Sequence, residues 1–162
     1  MSEATLAVCD LLNSRGIDFN YVEHKAVFTI EDMLGLDLPE FDAVAKNLFV
    51  RDDKKRNYYL IVVRHEKKVE LKAFSEKIGS SKLSFASEND LGAILGLQKG
   101  AVTPFGVLND AEHRVRVLID KSFDGSRIGI HPNDNTASVW LYTADLVEVI
   151  KQHGNRVEFI EL

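Results

Sequence analysis

Two polar residues sit where a strand has no need of them. In Val44-Ala45-Lys46-Asn47-Leu48-Phe49-Val50 the two-residue period of a strand puts Val44, Lys46, Leu48 and Val50 on one face and Ala45, Asn47 and Phe49 on the other. Both faces are mainly apolar, as in a strand covered on both sides. A cation there costs free energy unless it is paired or opens into a cleft, where it can anchor an anion or stabilise developing negative charge. The alternative is an edge position from which Lys46 snorkels to water. A second candidate is His131, in a run from Gly125 to Asn135 rich in glycine and turn-forming amides. Pro132 biases His131 toward extended backbone and so sets the direction of its ring. Such a loop presents ring nitrogens and main-chain N–H groups to a ligand, or is simply a polar turn. The third is Gly100 to Gly106, where Pro104 interrupts a β-prone run. The break marks either an edge-strand kink or a place where a ligand meets the backbone, which makes Thr103, Phe105 and Gly106 candidates for substrate contact.

Other chemistries lack their parts. The remaining histidines, His24, His65, His113 and His153, have no cysteine or carboxylate at metal-ligand spacing, so no metal site and no cofactor are expected. No P-loop, dinucleotide fingerprint or Gly-x-Ser-x-Gly elbow is present. Cys9, the single cysteine, lies among the apolar residues of a helix and reads as a small core residue rather than a nucleophile.

The elements that must position these residues follow from periodicity. Ser2 to Arg15 has helical spacing of Ala4, Val8, Leu11 and Leu12, with Ser2 as cap and Gly16 as stop. Phe19 and Tyr21 suggest a short strand. Thr29-Ile30-Glu31-Asp32 reads as a capping box opening a short helix. Ala43 to Arg51 and Tyr58 to Arg64 around a charged turn predict a hairpin, and Val102 to Leu108 with Val115 to Ile119 around Asn109-Asp110 predict a second. A helix ending at Gly79, a brief strand at Leu83 and Phe85, a helix capped by Ser87, strands at 128–131 and 137–141, a helix capped by Thr143 and ending at Gly154, and a last strand at 157–160 complete the pattern. Helices interspersed among hairpins predict an α+β fold with a mixed sheet, in a single domain over residues 1–162.

Composition agrees with one core: 162 residues, 45% hydrophobic, 28% charged, three prolines and ten glycines. No apolar stretch approaches the roughly 20 residues of a membrane span and no signal sequence is evident, so a cytoplasmic protein that binds no membrane is expected. The net charge of −5 argues against a general DNA-binding protein. It conceals a gradient, however. Residues 46–82 hold eleven Lys or Arg against five acids, a local +6 on a remainder of −11. That band is either a solvated basic hairpin or a limited contact for a polyanion.

With these residues in view, the chain resembles the YbaK/prolyl-tRNA synthetase-associated domain family, in its free-standing prolyl-tRNA editing branch. The likeness rests on Glu23 to Thr29, Ala45 to Asp52, Gly79 to Ala86, Gly100 to Gly106, and His131-Pro132 followed by Asn133, which run in family order over nearly the whole chain. It implies an α+β domain with a mixed, barrel-like sheet that hydrolyses the ester joining a wrong amino acid to tRNA(Pro), alanine above all, acting in trans. The family's essential lysine falls on Lys46, its neighbouring asparagine on Asn47, and its His-Pro loop on Gly129, His131 and Pro132. The spacing of Gly125 and Gly129 around Arg127 departs from the best-known pattern, which bears on substrate choice more than on chemistry. On this reading Lys46 anchors the tRNA terminus or developing charge, Asn47 orients, His131 contacts the aminoacyl group, and Lys54, Lys55, Lys67 or Lys68 meets acceptor phosphates. Transient contact with prolyl-tRNA synthetase fits the same role. The alternative from another class is a non-catalytic aminoacyl-tRNA or proline-linked sensor of the same fold.

Overall fold

The computed structural model describes residues 1–162. In chain order the elements are α1 (Glu3–Ser14), β1 (Phe19–Glu23), α2 (Ile30–Leu34), β2 (Ala45–Asp52), β3 (Tyr58–Arg64), α3 (Leu71–Ile78), β4 (Leu83–Phe85), α4 (Glu88–Asp90), β5 (Val115–Asp120), β6 (Arg127–Ile130), β7 (Ala137–Tyr142), α5 (Thr143–His153) and β8 (Val157–Ile160). Their ends carry the signals expected. Ser2 Oγ accepts from Thr5 N, Thr29 Oγ1 from Asp32 N and Ser87 Oγ from Asp90 N, while Gly79 and Gly154 end α3 and α5 in the left-handed region. α4 runs on into a π-helical turn at Leu91–Leu95 that closes at Gly96.

The strands form two sheets, ordered β1-β7-β6 and β4-β2-β3-β5-β8. The larger sheet is mixed: β2 pairs antiparallel with β3 and β4, whereas β3-β5 and β5-β8 are parallel. The expected α+β class holds, but neither sheet closes into a barrel. One parallel bridge, Val44 to Gly129, joins them. Between the sheets, α1 and α5 a cluster of 24 buried side chains forms the main core, including Phe49, Leu60, Phe105, Ile128 and Leu146. A smaller cluster around Val50, Ile61 and Phe74 seals the opposite face of the larger sheet under α3. Burying both faces explains why Tyr58 to Val63 is an unbroken apolar run.

Three local expectations are corrected. Val102 to Leu108 is not a strand: Pro104, which has no N–H to give a ladder, opens a 3-10 turn from Pro104 to Asn109, and β5 pairs parallel with β3 rather than folding back on this segment. Asp110, read as a hairpin turn, is instead buried, its Oδ2 accepting from Val115 N and Asn155 Nδ2. Thr143 is the first residue of α5 rather than its cap, which is Tyr142.

Candidate functional site

β2 is covered unequally, and the site follows from that. β3 pairs with it from Ala45 to Arg51, but on its other edge β4 pairs only from Val50 to Asp52. The outer edge of Ala45 to Leu48 therefore has no strand beside it. It faces a cleft of about 440 Å³ bounded by Val27 to Glu31, by Gly100 and Val102, and by Gly129 to His131 from the smaller sheet. Lys46, Asn47 and His131 all line this one space.

Lys46 Nζ donates to the main-chain oxygen of Lys67, which tethers the side chain at the cleft wall. Burial pushes its pKa below the usual lysine value. Asn47 Nδ2 donates to Val102 O at 3.3 Å, pinning the amide to the Gly100–Thr103 loop. Its other end is different: Asn47 Oδ1 is buried and has no hydrogen-bond partner in the protein. A buried acceptor without a partner calls for a donor, and Asn47 is itself part of the cleft lining.

His131 Nδ1 lies 2.8 Å from Ala137 O. A carbonyl only accepts, so Nδ1 carries the proton and Nε2 of the neutral ring keeps a lone pair. Burial depresses the pKa of His131, outweighing the Ala137 carbonyl, which favours the charged form. Behind the ring, Ser138 Oγ is 3.5 Å from His131 Nδ1 and 2.9 Å from His24 Nε2, while His24 Nδ1 meets Lys25 O at 2.8 Å. By the same logic His24 donates through Nδ1, and Ser138 Oγ bridges His24 Nε2 and the His131 ring. The backbone of His131 is held too, its oxygen accepting from Thr103 Oγ1 at 2.6 Å.

The other sequence candidates are distributed around this centre. Gly129 lines the cleft. Thr103, Phe105, Gly106 and Pro132 are buried behind its wall: Thr103 braces His131, Phe105 packs in the main core, Gly106 lies against Leu97, and Pro132 O accepts from Thr5 Oγ1. Lys67 pairs with Asp120 at 3.1 Å and donates to Leu162 O, and Lys68 beside it is exposed. Lys54 and Lys55 are exposed in the turn after β2, whose last residue, Asp52, stands six residues beyond Lys46, about 20 Å along an extended strand. The lysines thus fall into two groups, one at the cleft end of the hairpin and one at the far end. Sequence reasoning dismissed His24 for want of metal partners and passed over Ser138, although His24 stands in the Glu23–Thr29 motif. Cys9 is buried in α1, and burial raises its pKa, as expected for a core thiol. No group of three or more His, Cys, Asp or Glu could hold a metal ion, and no helix is long and apolar enough to cross a membrane.

Comparison with known proteins places this geometry. The model of the aminoacyl-tRNA editing domain family matches residues 24–149. Prolyl-tRNA editing protein ProX of Acetoanaerobium sticklandii is 47% identical over 161 residues, covering 99% of this chain and 98% of that protein. Prolyl-tRNA synthetase associated domain-containing protein 1 of Danio rerio is 32% identical over 88% of this chain and 79% of its own. The crystal structure of a "putative trans-editing enzyme for prolyl tRNA synthetase" superposes with a TM-score of 0.73 at 19% identity, over 100% of this chain and 99% of that one, a likeness of fold.

Proposed function

This chain belongs to the aminoacyl-tRNA editing domain family, and from that membership we propose that it is a trans-acting deacylase that hydrolyses the ester of mischarged tRNA(Pro), with alanyl-tRNA(Pro) as its substrate. The observation that carries the reading is the convergence of Lys46 and Asn47, from β2, and His131, from the loop after β6, on one cleft beside an unpaired strand edge. Near-complete coverage of the editing relative, 98% of its length, supports action in trans by residues 1–162 as one editing domain.

An aminoacyl ester is already activated, so the protein's work is to position water and stabilise the oxyanion of the tetrahedral intermediate. Water adds to the ester carbonyl and gives up a proton as the carbonyl electrons pass to oxygen; collapse of that oxyanion breaks the bond to the ribose oxygen, which takes up the proton and leaves as the hydroxyl. Lys46 supplies the cation for the oxyanion or the terminal phosphate. Asn47 Oδ1, the open acceptor, takes a hydrogen bond from the sugar hydroxyl or the aminoacyl ammonium. His131 Nε2 accepts from the aminoacyl group or from the attacking water. The His24–Ser138 pair and Thr103 hold that ring and its backbone in place. Discrimination against proline is steric, because a hydrophobic pocket gains only about 1–3 kcal/mol per methylene and cannot otherwise separate amino acids so similar.

For the acceptor phosphates, the exposed Lys68 at the cleft end is the first candidate, Lys67 would have to exchange its pairing with Asp120 and Leu162 O, and Lys54 and Lys55 would take part only if the stem runs the length of β2. The tRNA substrate makes the cytoplasm the expected location, and passing contact with prolyl-tRNA synthetase would deliver mischarged tRNA before it is used. The deciding experiment is hydrolysis of alanyl-, cysteinyl-, seryl- and prolyl-tRNA(Pro) and alanyl-tRNA(Ala) by wild type and Lys46→Ala. Selective clearance of alanyl-tRNA(Pro) by wild type alone is the expected result. No hydrolysis above the spontaneous rate overturns the enzyme reading.

A further inference from the structure

The cleft is larger than the reaction needs. An alanyl group fills a small part of about 440 Å³, a volume of the size that encloses a whole drug-sized ligand. Among the residues that line it stands Phe28, a phenylalanine that is 61% exposed and so marks where the cleft opens to solvent.

Exposing a phenyl ring is unfavourable, and this one is held out rather than left loose. Phe28 N donates to Asp32 Oδ2 at 2.9 Å, which ties the residue to the start of α2. From the other side it is met by Gly100, whose φ of +87° belongs to the left-handed region. A methyl group added at Gly100 would lie 2.9 Å from Cδ1 of Phe28 and 3.2 Å from its Cα, so only glycine allows the loop to back the ring this closely. The other strongly exposed aromatics differ in place or in cover. Phe85 lies on β4 outside the cleft lining, and Tyr142 has the Arg127 guanidinium over its ring at 5.3 Å. Phe28 alone combines an open aromatic surface, a braced backbone and a position at the entrance to the space that holds Lys46, Asn47 and His131.

Resting on the deacylase reading, we infer that Phe28 is the platform on which the terminal nucleobase of the tRNA acceptor end stacks, so that base stacking at the cleft adds affinity for the acceptor end while Lys46, Asn47 and His131 act on the ester. Every nucleobase offers a π face, and stacking on an aromatic side chain contributes binding without reading sequence. That suits an enzyme whose substrates all end in the same nucleotide. Phe28 acts as a binding residue: it holds the base and leaves bond making to the interior of the cleft.

The test separates base binding from chemistry. Phe28→Ala should raise KM for alanyl-tRNA(Pro) about tenfold, with kcat at saturating substrate within about twofold of wild type. Phe28→Leu, which keeps apolar bulk without a π face, should behave like the alanine variant, and Phe28→Trp should recover wild-type KM. An alanyl ester of a simple diol, having no base, should be hydrolysed equally by wild type and Phe28→Ala. Binding is read without turnover from the indole fluorescence of Phe28→Trp, which an uncharged CCA trinucleotide should quench and an abasic analogue should not. If wild type deacylates but Phe28→Ala leaves KM and trinucleotide affinity unchanged, the stacking inference is overturned and the deacylase reading stands. Equal losses on the base-free ester would also overturn it, because the ring would then be shaping the pocket. If wild type hydrolyses nothing yet the trinucleotide quenches the indole, the platform stands and the enzyme reading fails.

Discussion

Replacing Gly129 by alanine should cost more than any other single methyl group near the cleft. Gly129 is not among the residues with positive φ, so its strand backbone would accept alanine; what it lacks is room. It pairs with Trp140 across β6 and β7, and a Cβ there would sit 2.5 Å from Trp140 Nε1, 2.9 Å from Cδ1 and 3.0 Å from Cε2. Trp140 is fully buried and cannot swing to solvent. Its indole N–H donates to Glu40 O at 3.2 Å, a bond that any retreat of the ring would break. Overpacking costs about 1–3 kcal/mol and the lost hydrogen bond about 1 kcal/mol, for a total of about 2–4 kcal/mol. For a domain of this size each kcal/mol is worth about 2–4 °C, so the melting temperature should fall by about 4–16 °C.

The assay is thermal unfolding followed by circular dichroism and by the fluorescence of Trp140, the only tryptophan in the chain. Gly92→Ala is the control: nothing lies within 4 Å of its added Cβ and its φ is not positive, so it should be neutral or slightly stabilising. Gly129 also carries the single bridge to Val44, two residues before Lys46. A displaced β6 should therefore lower kcat/KM for alanyl-tRNA(Pro) by up to about 100-fold at temperatures where the variant is folded. A melting temperature within 2 °C of the Gly92→Ala control, with unchanged tryptophan emission, would show that Trp140 has space to move and would refute the reasoning.

Lys46→Ala should reduce kcat by about 10²–10³-fold while leaving the melting temperature near that of wild type, since the side chain is only half-buried; kcat that survives the substitution rules out charge stabilisation by Lys46. Because burial lowers the pKa of His131, the acid limb of the kcat/KM profile should lie below about pH 6.5 and disappear in His131→Asn; a limb above that value contradicts the neutral-ring assignment. The same depression has a stability sign. The unfolded chain takes up the proton first, so the stabilisation is present above about pH 6.5 and is lost as pH falls through the folded pKa, and the urea midpoint of wild type should drop toward that of His131→Gln in that window. Lys68→Ala should lower the salt slope of tRNA binding by roughly 0.7–0.9, and no change in slope from Lys67→Ala and Lys68→Ala together removes the cleft-end phosphate contact.

Much of the site was legible in the sequence because its residues violate the pattern of their own elements. Lys46 and Asn47 interrupt an apolar strand, and Pro132 fixes the backbone beside His131; each anomaly needs only local periodicity to be noticed. The second hairpin misled for the converse reason. Val102 to Leu108 alternates well enough for a strand, but Pro104 denies the ladder a donor, and β3, already buried on both faces, offered β5 a parallel edge at long range. Such a partner leaves no mark within a window of ten residues. His24, Ser138 and Phe28 were hidden similarly. They are ordinary residues in a loop and a strand until the fold brings residue 24 to 138 and residue 28 to 100.

The length of β4 explains why the anomalies of β2 are tolerated. Had β4 run alongside the whole of β2, the Ala45–Leu48 edge would be hydrogen-bonded to a neighbour, and the cleft that receives Lys46 and Asn47 would be occupied by strand. It stops after three residues, and the loop carrying Gly100 and Val102 approaches instead, contributing a carbonyl to Asn47 Nδ2 and no donor to Oδ1. The lysine and the asparagine are thus polar for the same reason: their half of the strand is paired with β3 on one edge and forms a cavity wall on the other. The smaller sheet then needs only its bridge at Gly129 to bring His131 to the opposite side. Extending β4 is accordingly the change that should close the site without touching any residue that lines it.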